Sequence, residues 1–149
     1  MNLKQQLYQY CWTFIEDRFK TIQNNIEELQ KALNSETKSS AGDKHETGRA
    51  MLQLDREKLG LQLAEINKIK KALSRVNLDN TSNIITLGSI VFTDKLNYFI
   101  TISAGKLVVD NESFYAISAN TPMGKLLIGK TVGDVIGFSK NTIEIKKIE

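Results

Sequence analysis

The sequence predicts an α+β fold, in which an antiparallel hairpin of two long helices precedes a small, mostly antiparallel β-sheet with one short helix. Apolar residues recur at helical spacing through the first half of the 149-residue chain. The second half changes to the two-residue alternation that is typical of β-strands. A polar stretch, NLDNTSN (77–83), separates the two patterns. We therefore expect one domain over residues 1–77 and a second over residues 78–149.

The first helix is predicted over roughly residues 2–34. Its apolar residues follow alternating steps of four and three, which is the heptad pattern of a coiled-coil seam. They are Tyr8, Trp12, Ile15, Phe19, Ile22, Ile26, Leu29 and Leu33. The first glycine of the chain is Gly42 and its single proline is Pro122, so neither residue interrupts this stretch. Such a helix is about 50 Å long at a rise of 1.5 Å per residue.

A second helix is predicted by another apolar stripe in the residues that follow. The stripe comprises Leu52, Leu59, Leu63, Ile66, Ile69, Leu73 and Val76. Between Leu33 and Met51 the only apolar residues are two alanines, so a polar connection joins the two helices. Two helices of similar length with one connection are expected to fold back on each other, because each can then bury its stripe against the other. The tip of this hairpin is predicted around residues 40–48.

The second domain is predicted to contain six strands and one short helix. The strand candidates are 84–92, 98–103, 106–109, 113–118, 135–138 and 143–146. The pair Asp110-Asn111 is a turn signal between two of them. For the short helix, Thr121 is a plausible N-cap, Pro122 a favoured first residue and Gly129 a plausible residue just past the C-terminal end.

Charge and composition restrict the partners and the compartment. The net charge of +3 arises in residues 1–77, which hold thirteen basic and ten acidic residues, whereas residues 78–149 hold seven of each. This excess is too small to indicate sequence-specific DNA binding, which usually needs a concentrated basic patch. Neither a signal peptide nor a run long enough to span a membrane is visible. With a single cysteine, Cys11, the chain is expected to be cytoplasmic.

The inventory of reactive side chains argues against an autonomous active site. Cys11 belongs to the first helix and His45, the single histidine, to the predicted tip, so a Cys–His nucleophile pair is not expected. Cys11 is interpreted as a small buried residue and His45 as a solvated one. One histidine does not make a zinc site. The Gly-Lys-Thr of residues 129–131 lacks the upstream glycine of a phosphate-binding loop.

The tip sequence AGDKHETG (41–48) places Asp43 and Glu46 three residues apart. One interpretation is a capping box, with Asp43 as the N-cap of the second helix and Glu46 at its third helical position. The other is a pair of carboxylates that together could bind a hard cation such as magnesium. The residues alone leave both interpretations open.

Two stretches of the chain resemble the Gre family of bacterial transcript-cleavage factors. The first is GDKHE (42–46), which is similar to the acidic tip of that family. The second is ISANTPMGKLLIGKTVGDVI (117–136), in which the spacing of Pro122, Gly124, Gly129 and Gly133 matches the family pattern. The resemblance covers both halves in the same order, over nearly the full chain.

The resemblance implies an antiparallel coiled coil followed by an FKBP-like domain. It implies that the factor inserts its coiled coil into the secondary channel of core RNA polymerase. There Asp43 and Glu46, matching the two acidic tip residues, would help to hold the second catalytic Mg²⁺ of the polymerase. The polymerase would then cleave the backtracked RNA at its own active site, so the factor would not be an enzyme by itself and would act on the RNA 3′ end indirectly.

Further site residues follow from the same resemblance and from their position near the tip. Three basic residues are expected to guide RNA phosphates: Lys38, Lys44 and Arg49. Three residues of the second domain are expected near the contact with polymerase: Pro122, Met123 and Gly124. A core-packing role for Met123 is an equal alternative.

The tip also departs from the family pattern. Thr47 stands where the family favours asparagine, Ala50 where an aromatic residue is usual, and the approach KALNSETKSS (31–40) lacks the usual longer, proline-containing segment. These departures favour one alternative, a secondary-channel regulator that binds polymerase without stimulating cleavage. A second alternative is a helical-hairpin interaction module unrelated to polymerase. An FKBP-type prolyl isomerase is disfavoured, because no aromatic-lined proline pocket can be assigned.

Overall fold

The computed structural model describes residues 1–38 and 43–149, and of these the side chains of residues 36–38 and 43–45 are outside the description. Within the described residues there are three helices: α1 (Leu3–Lys38), α2 (Asp43–Ser74) and α3 (Pro122–Leu127). There are also six strands: β1 (Ile90–Thr93), β2 (Asn97–Thr101), β3 (Gly105–Val109), β4 (Glu112–Ser118), β5 (Val135–Phe138) and β6 (Asn141–Ile148). The predicted α+β class is confirmed.

The chain divides by compactness into two units, and these differ from the two predicted domains. One unit comprises Met1–Phe14 together with Lys70–Glu149, and the other comprises Ile15–Ile69. The predicted boundary at residues 77 and 78 follows the change in secondary structure. The division by packing instead assigns the first turns of α1 and the last turn of α2 to the unit that contains the sheet.

In the unit Ile15–Ile69, the two long helices pack along the predicted seam. Ile15, Ile22, Leu33 and Ile66 are buried, and the other predicted seam residues of this unit are half-buried. These residues are buried because the heptad spacing keeps them on one side of each helix.

The two helices run antiparallel, as predicted. Leu29 of α1 and Leu59 of α2 line the same groove. Nearer the connection, Asn34 of α1 lines a second groove together with Gln53 of α2. The residue numbers thus rise along one helix as they fall along the other, which is the arrangement of a hairpin.

The six-stranded sheet has the order β3-β4-β2-β1-β6-β5. Its neighbours pair antiparallel, except that β2 and β4 run parallel. The predicted mostly antiparallel sheet is therefore confirmed. A parallel pair needs a crossover connection between its strands, and β3 forms part of this one by pairing with the outer side of β4.

The strand predicted over residues 84–92 begins later, at Ile90, and the first part of that prediction is wrong. Gly88 adopts a left-handed conformation with φ of +93° and turns the chain. Its neighbours make other pairings: the N–H of Ile85 donates to the carbonyl of Lys130 at 2.9 Å, and the N–H of Gly129 donates back to Ile85 at 2.9 Å. The apolar run was therefore an unreliable guide to the start of this strand.

The predicted turn at Asp110-Asn111 connects β3 and β4. Both residues have positive φ, 51° for Asp110 and 66° for Asn111. Two successive residues in this region make the tight hairpin loop whose twist matches that of the flanking strands, and Asp and Asn tolerate the conformation better than most residues. The local sequence signal was sufficient here.

One face of the sheet carries the main apolar core together with α3. Its buried members are Ile85, Val91, Tyr98, Ile100, Met123, Leu127, Ile136, Ile143 and Ile145. Tyr98 and Ile100 alternate along β2 with Phe99 and Thr101, which consequently point to the opposite face. Both of the latter residues are also buried, so the sheet is covered on both sides at β2.

The beginning of α1 covers the opposite face. Leu7 and Cys11 are fully buried, and the Sγ of Cys11 lies 3.5 Å from the Oγ1 of Thr101. The predicted seam residues Tyr8 and Trp12 are only half-buried here. In this first part of α1 the most buried stripe is therefore shifted by one residue from the predicted seam, because the helix contacts a sheet as well as α2.

Candidate functional site

The connection between α1 and α2 carries the predicted acidic tip. Helix α1 ends at Lys38 and α2 begins at Asp43. Glu46 lies three residues further along α2, and its side chain is exposed. Positions 43 and 46 are three residues apart, so they lie on the same side of the first turn of α2.

Several predicted details of the tip lie outside the described residues. These are the capping contact between Asp43 and Glu46, the side chains of Lys38 and Lys44, and the solvation of His45. Arg49, the third residue predicted to contact RNA phosphates, is described and half-buried. It lines a groove of about 260 Å³ between the helices, together with Asn34 and Gln53.

The chemistry that the tip offers is that of exposed oxygen donors. Exposed carboxylates such as that of Glu46 are the ligands that hard cations prefer. In the described parts of the chain, no group of three histidine, cysteine, aspartate or glutamate side chains comes together in a way that could hold a metal ion. The described part of the tip therefore offers one carboxylate to a magnesium ion, and the other ligands of the ion would have to come from a partner.

The second predicted contact region is the start of α3. Thr121 is its N-cap, as predicted, and its Oγ1 accepts a hydrogen bond from the N–H of Gly124 at 3.1 Å. The same hydroxyl donates to the carbonyl of Ser118 at 2.7 Å. Met123 and Gly124 are buried and Pro122 is exposed. Of the three residues predicted near a polymerase contact, only Pro122 presents its side chain to solvent, and Met123 packs into the core.

Cys11 has the buried environment that the sequence predicted. Burial raises the pKa of its thiol, and the contact with Thr101 opposes that effect only partly. A thiol with a raised pKa is a poor nucleophile, because the thiolate is the reactive form. The residue is therefore structural.

The sequence analysis missed three exposed apolar residues on α2. Met51, Leu54 and Leu61 are 63%, 59% and 74% exposed. Counting from the seam residues Leu52 and Leu59 places Leu54 and Leu61 on the side of α2 that faces away from the seam, and Met51 on its flank. The heptad positions of these residues can be read from the sequence, so the sequence alone was sufficient to predict their exposure.

In residues 1–38 and 43–149, no helix combines the length and the apolar character needed to cross a membrane. No protein-family model matches the chain, and no curated protein matches it significantly. Among solved structures, the chain is similar to one described as that of the transcription factor Gfh1. The identity is 22% and the TM-score 0.35, with 89% of this chain and 87% of the other covered. A similarity at this level supports no inference about function.

Proposed function

We propose that this chain is a transcription factor that binds core RNA polymerase through its secondary channel and stimulates the polymerase's own cleavage of backtracked RNA. The observation that carries the proposal is the exposed carboxylate of Glu46, one helical turn after Asp43, at the start of the second helix of a hairpin. The two stretches that resemble Gre factors, 42–46 and 117–136, supply the identity of the partner. A cytoplasmic location is part of the same proposal.

In this proposal the hairpin positions carboxylates for a partner enzyme. Asp43 and Glu46 supply anionic oxygens from one turn of α2, and the exposed carboxylate of Glu46 needs no rearrangement to reach a partner. A magnesium ion bound in the polymerase active site would supply stabilisation of the attacking and leaving oxygens. The remaining ligands would come from polymerase, so the chain would have no hydrolytic activity alone. Lys38, Lys44 and Arg49 are retained in the proposal as contacts for RNA phosphates, and Pro122 as the exposed part of a docking contact.

The test is an RNA-cleavage assay on stalled, backtracked transcription complexes. The variants are Asp43→Asn and Glu46→Gln, which keep the size of each side chain and remove its charge. Asparagine caps a helix about as well as aspartate, so we expect an unchanged melting temperature together with at least a tenfold loss of cleavage rate. Glu65→Gln is the matched control, because Glu65 is also exposed on α2 but lies five turns further along the helix.

Three results would contradict the proposal. A wild-type chain that does not bind core polymerase would leave only an unrelated interaction module. Cleavage that survives in both variants while the melting temperature falls would make the acidic pair a structural cap. An equal loss in Glu65→Gln would show that the effect is not specific to the tip.

A second candidate is a secondary-channel regulator that binds polymerase without stimulating cleavage. It is favoured by Thr47 and Ala50, both exposed on the first turns of α2, where the Gre pattern has asparagine and an aromatic residue. Such a regulator would bind polymerase and compete with a cleavage factor for the channel. The same assay separates the two candidates, since the wild-type chain would then bind without increasing the cleavage rate.

A further inference from the structure

The unit that contains the sheet has a cleft that the proposed function does not use. Its volume is about 420 Å³, within the range of about 300–1,000 Å³ that is typical of small-molecule sites. Three parts of the chain line it: the first residues of α1, the polar stretch 78–82, and the places where β1 begins and β6 ends. All of them belong to the unit formed by Met1–Phe14 and Lys70–Glu149. We call this feature the α1–sheet cleft.

Part of the lining of the α1–sheet cleft is apolar. Ile90 lines it and is 1% exposed. Leu3, Leu78 and Ile148 also line it, and these three side chains are half-buried. Each of the three therefore keeps apolar surface in contact with water. Covering that surface with the apolar part of a ligand would be favourable, because it removes the surface from water.

The same cleft is lined by the half-buried side chain of Lys4. Its Nζ donates a hydrogen bond to the carbonyl of Asn80 at 3.1 Å, and an ammonium group has three N–H donors. Asn80 is itself held in place: its Nδ2 donates to the Oγ1 of Thr86 at 3.3 Å, and its Oδ1 accepts from the N–H of Ser82 at 3.1 Å. The position of the ammonium group is therefore fixed by a network in the polar stretch, and donors remain for a ligand.

The charge of Lys4 is not balanced by its surroundings. Burial lowers the pKa of its ammonium group, and the attraction of Glu149 and Asp79 opposes this effect only partly. The carboxylate of Glu149 also lies 3.2 Å from the Nζ of Lys147 and is shared with that cation. An anionic group in the cleft would therefore stabilise Lys4 and accept a charge-assisted hydrogen bond from it. Because two carboxylates already lie near this one cation, a singly charged anion fits better than a dianion.

We propose that the α1–sheet cleft binds a small amphipathic monocarboxylate, with its carboxylate on Lys4 and its apolar part against Leu78 and Ile148. Charge complementarity selects the anionic end of this ligand, and the half-buried apolar side chains select the other end. The proposal is independent of the proposed function, because it involves no contact with polymerase. The sequence alone does not indicate the site, since the fold brings Lys4, Leu78 and Ile148 together from distant parts of the chain.

The test is an NMR titration of the full chain with octanoate. Octylamine is the matched ligand control, because it has the same apolar chain and the opposite charge. We expect octanoate to shift the methyl resonances of Leu78 and Ile148, and octylamine to bind at least tenfold more weakly. Lys4→Gln removes the charge while keeping high helix propensity, and it should weaken octanoate binding at least tenfold. Lys106→Gln is the matched control variant and should change the affinity less than twofold, because Lys106 is exposed on β3, which β4 and β2 separate from β1.

Three results would overturn the inference. If octanoate leaves the methyl resonances of Leu78 and Ile148 unchanged, the cleft does not bind a monocarboxylate. If octylamine binds as tightly as octanoate, the cleft is only an apolar surface. If Lys4→Gln binds octanoate as tightly as the wild-type chain, Lys4 does not hold the carboxylate. The comparison of the two ligands uses the wild-type chain, so it decides the question even if Lys4→Gln does not fold.

Discussion

Gly124 occupies a position that a larger residue does not fit. A Cβ atom at this residue would lie 2.2 Å from the carbonyl oxygen of Ser118 and 3.0 Å from the Oγ1 of Thr121. The first distance is far below van der Waals contact, and Ser118 is held there by its hydrogen bond from Thr121. A methyl group here would force the backbone apart and weaken the cap of α3.

We therefore expect Gly124→Ala to lower the free energy of unfolding by about 1–3 kcal/mol, the usual cost of overpacking. Denaturant unfolding measures the change. Gly137→Ala is the matched control, because nothing lies within 4 Å of the corresponding Cβ position. The control is expected to be neutral or slightly stabilising, since glycine weakens a strand. Equal losses in the two variants would contradict the steric explanation.

The burial of Cys11 should make the free energy of unfolding depend on pH. Burial raises the pKa of its thiol above the ordinary value of 9.0. Above pH 9 the unfolded chain releases this proton while the folded chain retains it, so ionisation favours unfolding. The stability due to the protonated thiol is complete below pH 9 and decreases as the pH rises towards the raised pKa.

We expect the wild-type chain to lose more stability between pH 8 and pH 10 than Cys11→Ala does. Chemical denaturation at a series of pH values gives both curves, and taking their difference removes the contribution of every other titrating group. Parallel curves would show that the thiol titrates in the folded chain as it does in the unfolded one.

At the scale of the elements, the two sides of α2 should respond very differently to truncation. Ile66 is 2% exposed on the seam, whereas Leu61 is 74% exposed on the outward side. Ile66→Ala removes buried methyl groups and is expected to cost about 2–5 kcal/mol of unfolding free energy. Leu61→Ala should change it by less than about 0.5 kcal/mol. Thermal and denaturant unfolding test this, and a large loss in Leu61→Ala would mean that the outward side of α2 is already covered in the free chain.

The elements that could be predicted from the sequence are those with a local signal. The heptad spacing predicted both long helices, and the Thr121-Pro122 pair predicted the start of α3. The first strand was predicted to begin too early, because the residues before Gly88 have an apolar pattern that is also typical of a strand. In the structure they pair with a distant segment instead, as Ile85 does with Lys130, and the sequence pattern does not reveal that pairing. The acidic tip was predicted from the spacing of Asp43 and Glu46 and from the resemblance of GDKHE (42–46) to the Gre tip, and the exposed side chain of Glu46 is consistent with that position.

Contacts between distant parts of the chain were not predictable in the same way. Nothing near Cys11 in the sequence indicates Thr101, ninety residues later. The hydroxyl of Tyr8 likewise donates to the carbonyl of Leu73 at 2.8 Å, a residue 65 positions later in the chain. Such partners are selected by packing of the whole unit, and a heptad count does not contain that information.

For the whole molecule, the division into Met1–Phe14 with Lys70–Glu149 and Ile15–Ile69 predicts which fragments fold. A fragment of residues 78–149 lacks Leu7 and Cys11, which cover one face of the sheet. It is expected to be markedly less stable than a fragment in which residues 1–14 are joined to residues 70–149 by a flexible linker. Circular dichroism and binding of a hydrophobic dye measure this, and equal stability of the two fragments would show that the start of α1 is dispensable.

The position of β6 in the sheet has a consequence for synthesis on the ribosome. This strand, the last in chain order, lies between β1 and β5. Until residues 141–148 have emerged, β1 and β5 each lack a neighbour, while the residues of the helical hairpin have long been available. The hairpin should therefore fold early in translation, whereas the sheet can be completed only when β6 pairs with β1 and β5. A nascent chain stalled before position 141 would carry open strand edges that invite pairing with other chains.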